Sequence, residues 1–228
     1  PARVVQASST YALGRGVSAV DGRLYDSNSG QAQFVGNLSD CMALPGRHNH
    51  QNAAAAYAAC RALGLDPQTI MDGIRTFPGL AHRLEMVGEI DGVKFVNDSK
   101  ATNAEAAEQA LKAYKKAYWI AGGVSKAEGI QPLAPLFPNI TKAYLIGDSE
   151  ETFAATLKGK VALQTCGTLE NAVQAAFRDA KVVGDENPVI LLSPACASFD
   201  QFRDFEHRGD VFRSIVQSMM PQELKELA

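Results

Sequence analysis

The segment Asn97-Asp98-Ser99-Lys100-Ala101-Thr102-Asn103 sets an acid, a base and several hydroxyl and amide side chains directly after the β-prone run Val93–Val96. So much hydrogen-bonding chemistry at a strand's carboxyl end falls where open α/β sheets bind ligands. A solvated ion pair, worth about 0 to 1 kcal/mol, accounts for Asp98 and Lys100 equally well. Thr102 and Glu105 have capping-box spacing, which explains those two residues and does not account for Asp98 and Lys100.

Three further stretches carry comparable chemistry. Ala121-Gly122-Gly123-Val124-Ser125-Lys126 closes an apolar run with two glycines, which permit close backbone approach or a tight turn, and then supplies a lysine. The stretch from Leu191 to Phe212 runs from an apolar strand through a proline turn and small residues to a phenylalanine-rich helix. Ser198, with Gln201, marks the start of that helix, where backbone amides favour a carboxylate. Phe199 and Phe205 belong to the same helical reading, as core residues. Gly46 to Asn52 is polar at a helix start. Asn49 and Asn52 each offer a donor and an acceptor of the kind that reads a nucleobase, or serve as loop and cap residues. Arg83 can stack on a base, meet a phosphate or form an interdomain ion pair.

The elements that must position these residues follow from periodicity. Up to about residue 45 the sequence reads as short antiparallel strands, with Asp21-Gly22 as a two-residue hairpin turn. Two helices follow, the first stopped by Gly64 and the second started by Asp66 and Pro67, until Phe77-Pro78-Gly79 breaks the pattern. A boundary near Leu80 divides residues 1–80 from residues 81–228. Beyond it, β-prone runs at Gly92–Asn97, Lys116–Gly123, Lys142–Asp148, Val161–Gly167 and Asn187–Pro194 alternate with amphipathic segments. Helix starts fall at Thr102, Ser149, Thr168 and Ser198. The predicted fold is α/β, a Rossmann-like, mostly parallel sheet with crossover helices, and ligands of such sheets bind at the strands' carboxyl ends.

Composition narrows the function. A net charge of -3 and a sequence pI near 5.8, without a basic block, argue against nucleic-acid or membrane-surface binding. No apolar run approaches the roughly 20 residues needed to span a bilayer, which predicts a soluble, cytoplasmic protein. The four cysteines lack metal-ligand spacing and are expected to be reduced. His48 and His50 form an H-x-H pair without an acidic cluster, so no metal site is predicted. Neither G-x-G-x-x-G nor G-x-x-x-x-G-K-[ST] occurs. The chain opens without methionine and already in strand-like alternation, so the numbering is expected to begin partway through a longer polypeptide.

Taken together, GRHNHQN, HRLE, NDSKATN and SPACASFDQF followed by FEHRG resemble the C-terminal portion of the D-glutamate-adding Mur ligases of bacterial peptidoglycan synthesis, over nearly the whole chain. The resemblance implies that residues 1–80 are the end of a central α/β ATPase domain and residues 81–228 the complete third domain. It implies an enzyme that uses ATP and Mg2+ in its full-length form, activates the carboxylate of UDP-N-acetylmuramoyl-L-alanine as an acyl phosphate and joins it to D-glutamate. By the same resemblance, Asn49, Asn52, Arg83 and Asp98 contact the nucleotide, and Lys100, Thr102, Lys126, Ser198, Phe199 and Phe205 contact D-glutamate. The family's phosphate loop, magnesium ligands and carbamylated lysine have no counterpart among these residues, so the segment alone is expected to be inactive. A relative adding another amino acid, or glutamate to a folate-like acceptor, and a non-catalytic α/β binding module are the alternatives.

Overall fold

The computed structural model describes residues 4–41, 43–184 and 187–220. The chain divides into two compact units, Pro1–Gly79 and Leu80–Ala228.

In the first unit, β1 (Ala7–Ser8), β2 (Val17–Val20), β3 (Arg23–Asp26) and β4 (Gln33–Asn37) form a sheet in that order, followed by α1 (Arg47–Ala62) and α2 (Pro67–Arg75). Asp21 and Gly22 take φ values of 50° and 74°, the backbone of a two-residue hairpin turn, and antiparallel β2 and β3 follow from it. The expectation of a wholly antiparallel sheet is corrected at β1, which pairs parallel with β2. Gly64 leaves α1 with φ 91°, and the Asp66 carboxylate accepts the Thr69 amide at 3.0 Å to begin α2. Val17, Leu24, Leu38, Ala54, Tyr57 and Met71 close the core between sheet and helices.

The second unit contains, in chain order, β5 (Glu85–Ile90), β6 (Val93–Asn97), α3 (Ala104–Ala113), β7 (Ala117–Gly122), a 3-10 stretch (Gln131–Asn139), β8 (Ile140–Ile146), α4 (Glu150–Leu157), β9 (Ala162–Gly167), α5 (Leu169–Val183), β10 (Val189–Leu192) and α6 (Phe205–Met219). The sheet order is β5-β6-β10-β7-β8-β9. All pairs are parallel except β5 with β6. Every residue of β7 and β10 is buried, as a parallel sheet covered on both faces requires. Trp119, Leu145 and Leu191 pack with Leu111, Phe137, Phe153 and Leu157 on the face of α3, the 3-10 stretch and α4. Tyr118, Ile120 and Ile190 point the other way, into Val173, Ala176, Phe212 and Val216 of α5 and α6. Each large side chain fully buried there stabilises the fold by about 1.5 to 3 kcal/mol.

Two helix starts differ from expectation. The cap of α3 is Asn103, whose side chain accepts the Ala106 amide at 2.9 Å; Thr102 lies one residue too early and makes no capping bond. Helix α6 begins at Phe205, not near Ser198, because Asp204 accepts the His207 amide at 2.7 Å. Ser198 and Phe199 consequently sit in a loop. The amides of α6 have their own carboxylate, which removes the anion-binding helix start expected at Ser198. Thr168 caps α5 through the Asn171 amide, whereas Ser149 starts α4 without a side-chain cap bond and turns its hydroxyl to Cys196.

Candidate functional site

Strand β10 lies between β6 and β7, yet the chain leaves β10 towards α6 on one face and leaves β6 and β7 towards the other. In open α/β sheets such a divergence marks the place, at the carboxyl ends of the strands, where a ligand crevice usually lies. Its walls are the loops after β6, β7 and β10, which carry the polar motifs.

Asp98 forms the floor. It is 5% exposed; Oδ2 accepts from the Ser193 hydroxyl at 2.8 Å and Oδ1 from the Leu84 amide at 3.3 Å. Burial lifts its carboxyl to about 7, against the opposing pull of Ser193, the Leu84 amide and the Arg83 charge. The solvated Asp98–Lys100 ion pair considered from sequence is therefore not what the acid forms. Lys100 instead extends outward, its ammonium over the Phe205 ring.

A buried arginine joins two of the walls. Arg208 is 1% exposed and donates to the Ser99 hydroxyl (2.9 Å), the Ser99 carbonyl (2.8 Å) and the Cys196 carbonyl (3.1 Å). Ser99 donates onward to the Phe205 carbonyl at 2.8 Å. Desolvation lowers the guanidinium to about 10, still well above neutrality, so a positive charge lies beneath the crevice.

The loop after β10 is fastened to its neighbours. Val124 and Ala197 exchange both backbone hydrogen bonds, at 2.9 and 3.0 Å. Gly123 has no room for a side chain against the Ala197 carbonyl. Asp200 accepts the Asp148 amide at 3.2 Å, and Gln201 donates to the Gly167 carbonyl at 2.7 Å. The loop thus bridges the ends of β7, β8 and β9.

The residues proposed from sequence fall into place unevenly. Lys100 and Thr102 follow β6, Lys126 follows β7, and Ser198 and Phe199 follow β10, which sets these groups after the carboxyl ends of three neighbouring strands. Lys126 is exposed, Ser198 is buried, and Phe199 is 72% exposed at the rim. Phe205 opens α6 and lies edge-on to His82. Arg83 is exposed between His82 and Leu84, whose φ values of 61° and 48° are left-handed. In the first unit, Asn49 and Asn52 lie one turn apart on α1. Asn49 donates to the Pro45 carbonyl at 2.8 Å, while Asn52 lines an otherwise mostly apolar groove of 410 Å³ between α1 and α2. Burial lowers the pKa of His50. Among the described residues no three His, Cys, Asp or Glu side chains gather as metal ligands, and no helix is long and apolar enough to cross a membrane. The four cysteines are free.

Sequence reading overlooked Ser99, Ser193 and Arg208. Arg208 had a legible signal, for Phe205, Arg208, Phe212 and Val216 share one helical stripe, and a charge on an apolar stripe is a buried charge with a purpose. Ser99 and Ser193 had none, since one serine in a turn resembles any other.

The fold defines the class as an open, mostly parallel α/β domain, with Lys100 and Lys126 exposed and Arg208 buried after its central strands. The sequence profile of the Mur ligase glutamate ligase domain matches residues 82–196, and the chain belongs to the Mur ligase family. A UDP-N-acetylmuramoylalanine–D-glutamate ligase of Caulobacter vibrioides is 58% identical over 208 residues, covering 91% of this chain and 44% of the relative. The enzyme of the same name from Rhodospirillum rubrum is 55% identical over 222 residues, covering 95% and 46%. The chain spans less than half the length of these relatives. Among solved structures, the UDP-N-acetylmuramate-alanine ligase of Thermotoga maritima shares the fold with a TM-score of 0.59 at 17% identity, over 93% of this chain and 48% of that one. The Mycobacterium tuberculosis folylpolyglutamate synthase does so with a TM-score of 0.55 at 17% identity, over 86% and 46%.

Proposed function

We propose that the chain is the C-terminal part of a cytoplasmic, ATP-dependent ligase that adds D-glutamate to UDP-N-acetylmuramoyl-L-alanine during peptidoglycan precursor synthesis. The observation that carries this reading is the 58% identity with a relative of that name across 91% of the chain. ATP transfers its terminal phosphoryl group to the acceptor carboxylate, and ADP leaves. The amine of D-glutamate then attacks the acyl carbon, loses a proton and expels phosphate, leaving an amide.

Lys100, Thr102, Lys126 and Ser198 receive the two carboxylates of D-glutamate, with Phe199 and Phe205 bounding the cavity. Two ammonium groups above the buried Arg208 charge match a dicarboxylate, since charge-assisted hydrogen bonds are the strong ones. Arg83 serves the nucleotide from the second unit, and the buried Asp98 serves it indirectly through the Leu84 amide beside Arg83. Asn49 and Asn52 are assigned to the nucleotide on the paired donor and acceptor that each side chain offers, Asn52 beside the mostly apolar groove of the first unit. The folylpolyglutamate synthase solved with ADP and AMPPCP makes nucleotide use a consistent expectation for this fold. The Mg2+ that accompanies ATP has no ligand set among the described residues.

Steady-state kinetics of the complete enzyme test the assignment. Arg83→Ala should raise the KM for ATP and Lys126→Ala the KM for D-glutamate, each by about tenfold or more, the loss of one charge-assisted bond. An enzyme preferring L-glutamate or a diamino acid over D-glutamate would instead favour a relative with another amino-acid substrate.

A further inference from the structure

Asp98 is engaged by the protein on both oxygens, and what it holds is unusual. Leu84, whose amide it accepts at 3.3 Å, is a buried γ-branched residue at φ 48°, and His82, two residues earlier, stands at φ 61°. Two left-handed non-glycine residues flanking one exposed residue cost of order 1 to 3 kcal/mol each and persist only where the surroundings enforce them. The residue between them is Arg83. The enforcement is visible on both sides. The His82 amide donates to Glu85 Oε2 at 2.9 Å, the His82 ring lies 3.1 Å from Asn97 Nδ2, and Gly209 has no side chain where that ring packs. On the Leu84 side the support is Asp98, steadied by Ser193.

We propose that Ser193 is a positioning residue: through Asp98 it holds the left-handed His82–Leu84 turn and so aims the Arg83 guanidinium at the nucleotide. This deepens the reading above and rests on its assignment of Arg83. Ser193 touches no ligand in this scheme. It is fully buried, its hydroxyl spends its proton on Asp98, and its carbonyl accepts the indole N–H of Trp119 at 2.8 Å. The line Trp119–Ser193–Asp98–Leu84 therefore runs from β7 through β10 and β6 to the base of Arg83. Electrostatics support the geometry, because the Arg83 charge is felt at Asp98, and Asp98 in turn at Tyr114.

Two measurements test it. In the complete ligase, Ser193→Ala should raise the KM for ATP about fivefold to tenfold and leave the KM for D-glutamate unchanged. In an Arg83→Ala background the same substitution should add nothing, since a residue acting only through Arg83 has no effect once Arg83 is gone. Additive effects, or an equal rise in both KM values, overturn the proposal and leave the ATP-site assignment standing. An unchanged KM for ATP in Arg83→Ala alone overturns that assignment and this inference with it. Ser193→Cys, a weaker donor of similar shape, should fall between wild type and Ser193→Ala, and it replaces the alanine variant if that one does not fold.

The second measurement uses this chain. Trp119 is its one tryptophan, so indole fluorescence reports on Ser193 directly. Emission should titrate with the Asp98 carboxyl. The groups facing that carboxyl are Arg83 and the Leu84 amide on the turn before β5, Ser193 on the β10 loop and Tyr114 after α3. The midpoint should move to higher pH in Ser193→Ala, which loses one bond to the carboxylate, and the transition should vanish in Asp98→Asn. A midpoint unmoved by Ser193→Ala means that the hydroxyl does not support Asp98.

Discussion

The ammonium of Lys100 lies 3.8 Å from the centroid of the Phe205 ring. This contact turns a flexible, exposed side chain on a buried turn into a directed charge, because the π face restricts where the ammonium sits. The same Phe205 offers its carbonyl to the Ser99 hydroxyl, so ring and backbone together fix the β6 loop.

Replacing the ring tests that direction. Phe205→Leu removes an attraction worth about 0.5 to 2 kcal/mol and frees Lys100. The KM for D-glutamate in the complete enzyme should rise about threefold to tenfold, whereas Phe205→Tyr, which keeps the face, should stay within twofold of wild type, about the resolution of such kinetics. Equal losses in both variants would assign Phe205 to shape alone.

Arg208→Met probes the buried charge. Methionine matches much of the length but leaves the Ser99 hydroxyl, the Ser99 carbonyl and the Cys196 carbonyl without their donor. Unpaired buried acceptors cost about 1 to 3 kcal/mol each before relaxation, so the second unit should lose on the order of 3 kcal/mol in urea unfolding. A loss under about 0.5 kcal/mol, the size of an ordinary surface change, would mean the loops hold without it.

The pH dependence of stability has a definite sign. Burial raises the Asp98 carboxyl from 3.8 to about 7, so between those values the folded chain keeps a proton that the unfolded chain has released. Stability contributed by this group is therefore present below the unfolded value, falls as pH rises through the window, and levels off above the folded value. Asp98→Asn removes that slope. Its melting temperature relative to wild type should climb between about pH 4 and pH 7, by on the order of 5 °C, and stay flat beyond. Calorimetry across that range checks it, and a relative shift in the opposite direction excludes a raised pKa.

The second unit should also stand alone. Residues 80–228 hold a six-stranded sheet with helices on both faces, a size at which one core suffices. Excised, they should melt cooperatively and give a dispersed amide spectrum. The first unit, whose sheet ends in β1 and β4 with no further described strand beside them, should aggregate or remain molten. A well-dispersed spectrum from residues 1–79 would show that unit to be self-sufficient.

Much of this was written locally in the sequence. Asp21-Gly22 specifies its hairpin because both residues tolerate positive φ, and the doubly buried strands β7 and β10 announce themselves as unbroken apolar runs. Asp91-Gly92, at φ 50° and 79°, is the same hairpin signal between β5 and β6. It passed unnoticed because β5 is an edge strand with little apolar pattern. The capping errors share one cause: Thr102 and Ser198 are good caps by type, but Asn103 and Asp204 are better acceptors nearer the helices, and the tertiary loop decides between them. The polar motifs after the strands could be picked out from sequence, but the roles of Ser99, Ser193 and Arg208 and the connections among these residues could not. Ser193 to Asp98, Arg208 to Ser99 and Lys100 to Phe205 join residues up to 109 positions apart, and no local pattern encodes such pairs.

Sheet order imposes a timetable on assembly. Strand β10 comes after β6, β7, β8 and β9 in the chain and yet fills the slot between β6 and β7. As the polypeptide emerges from a ribosome, β6 and β7 have no direct pairing to make with each other in the final structure, and each waits with an open edge for residues 189–192. The loops after β6, β7 and β10 are consequently brought together late in the assembly of the second unit. A nascent chain released before that strand keeps unpaired sheet edges, which favour aggregation from the outset.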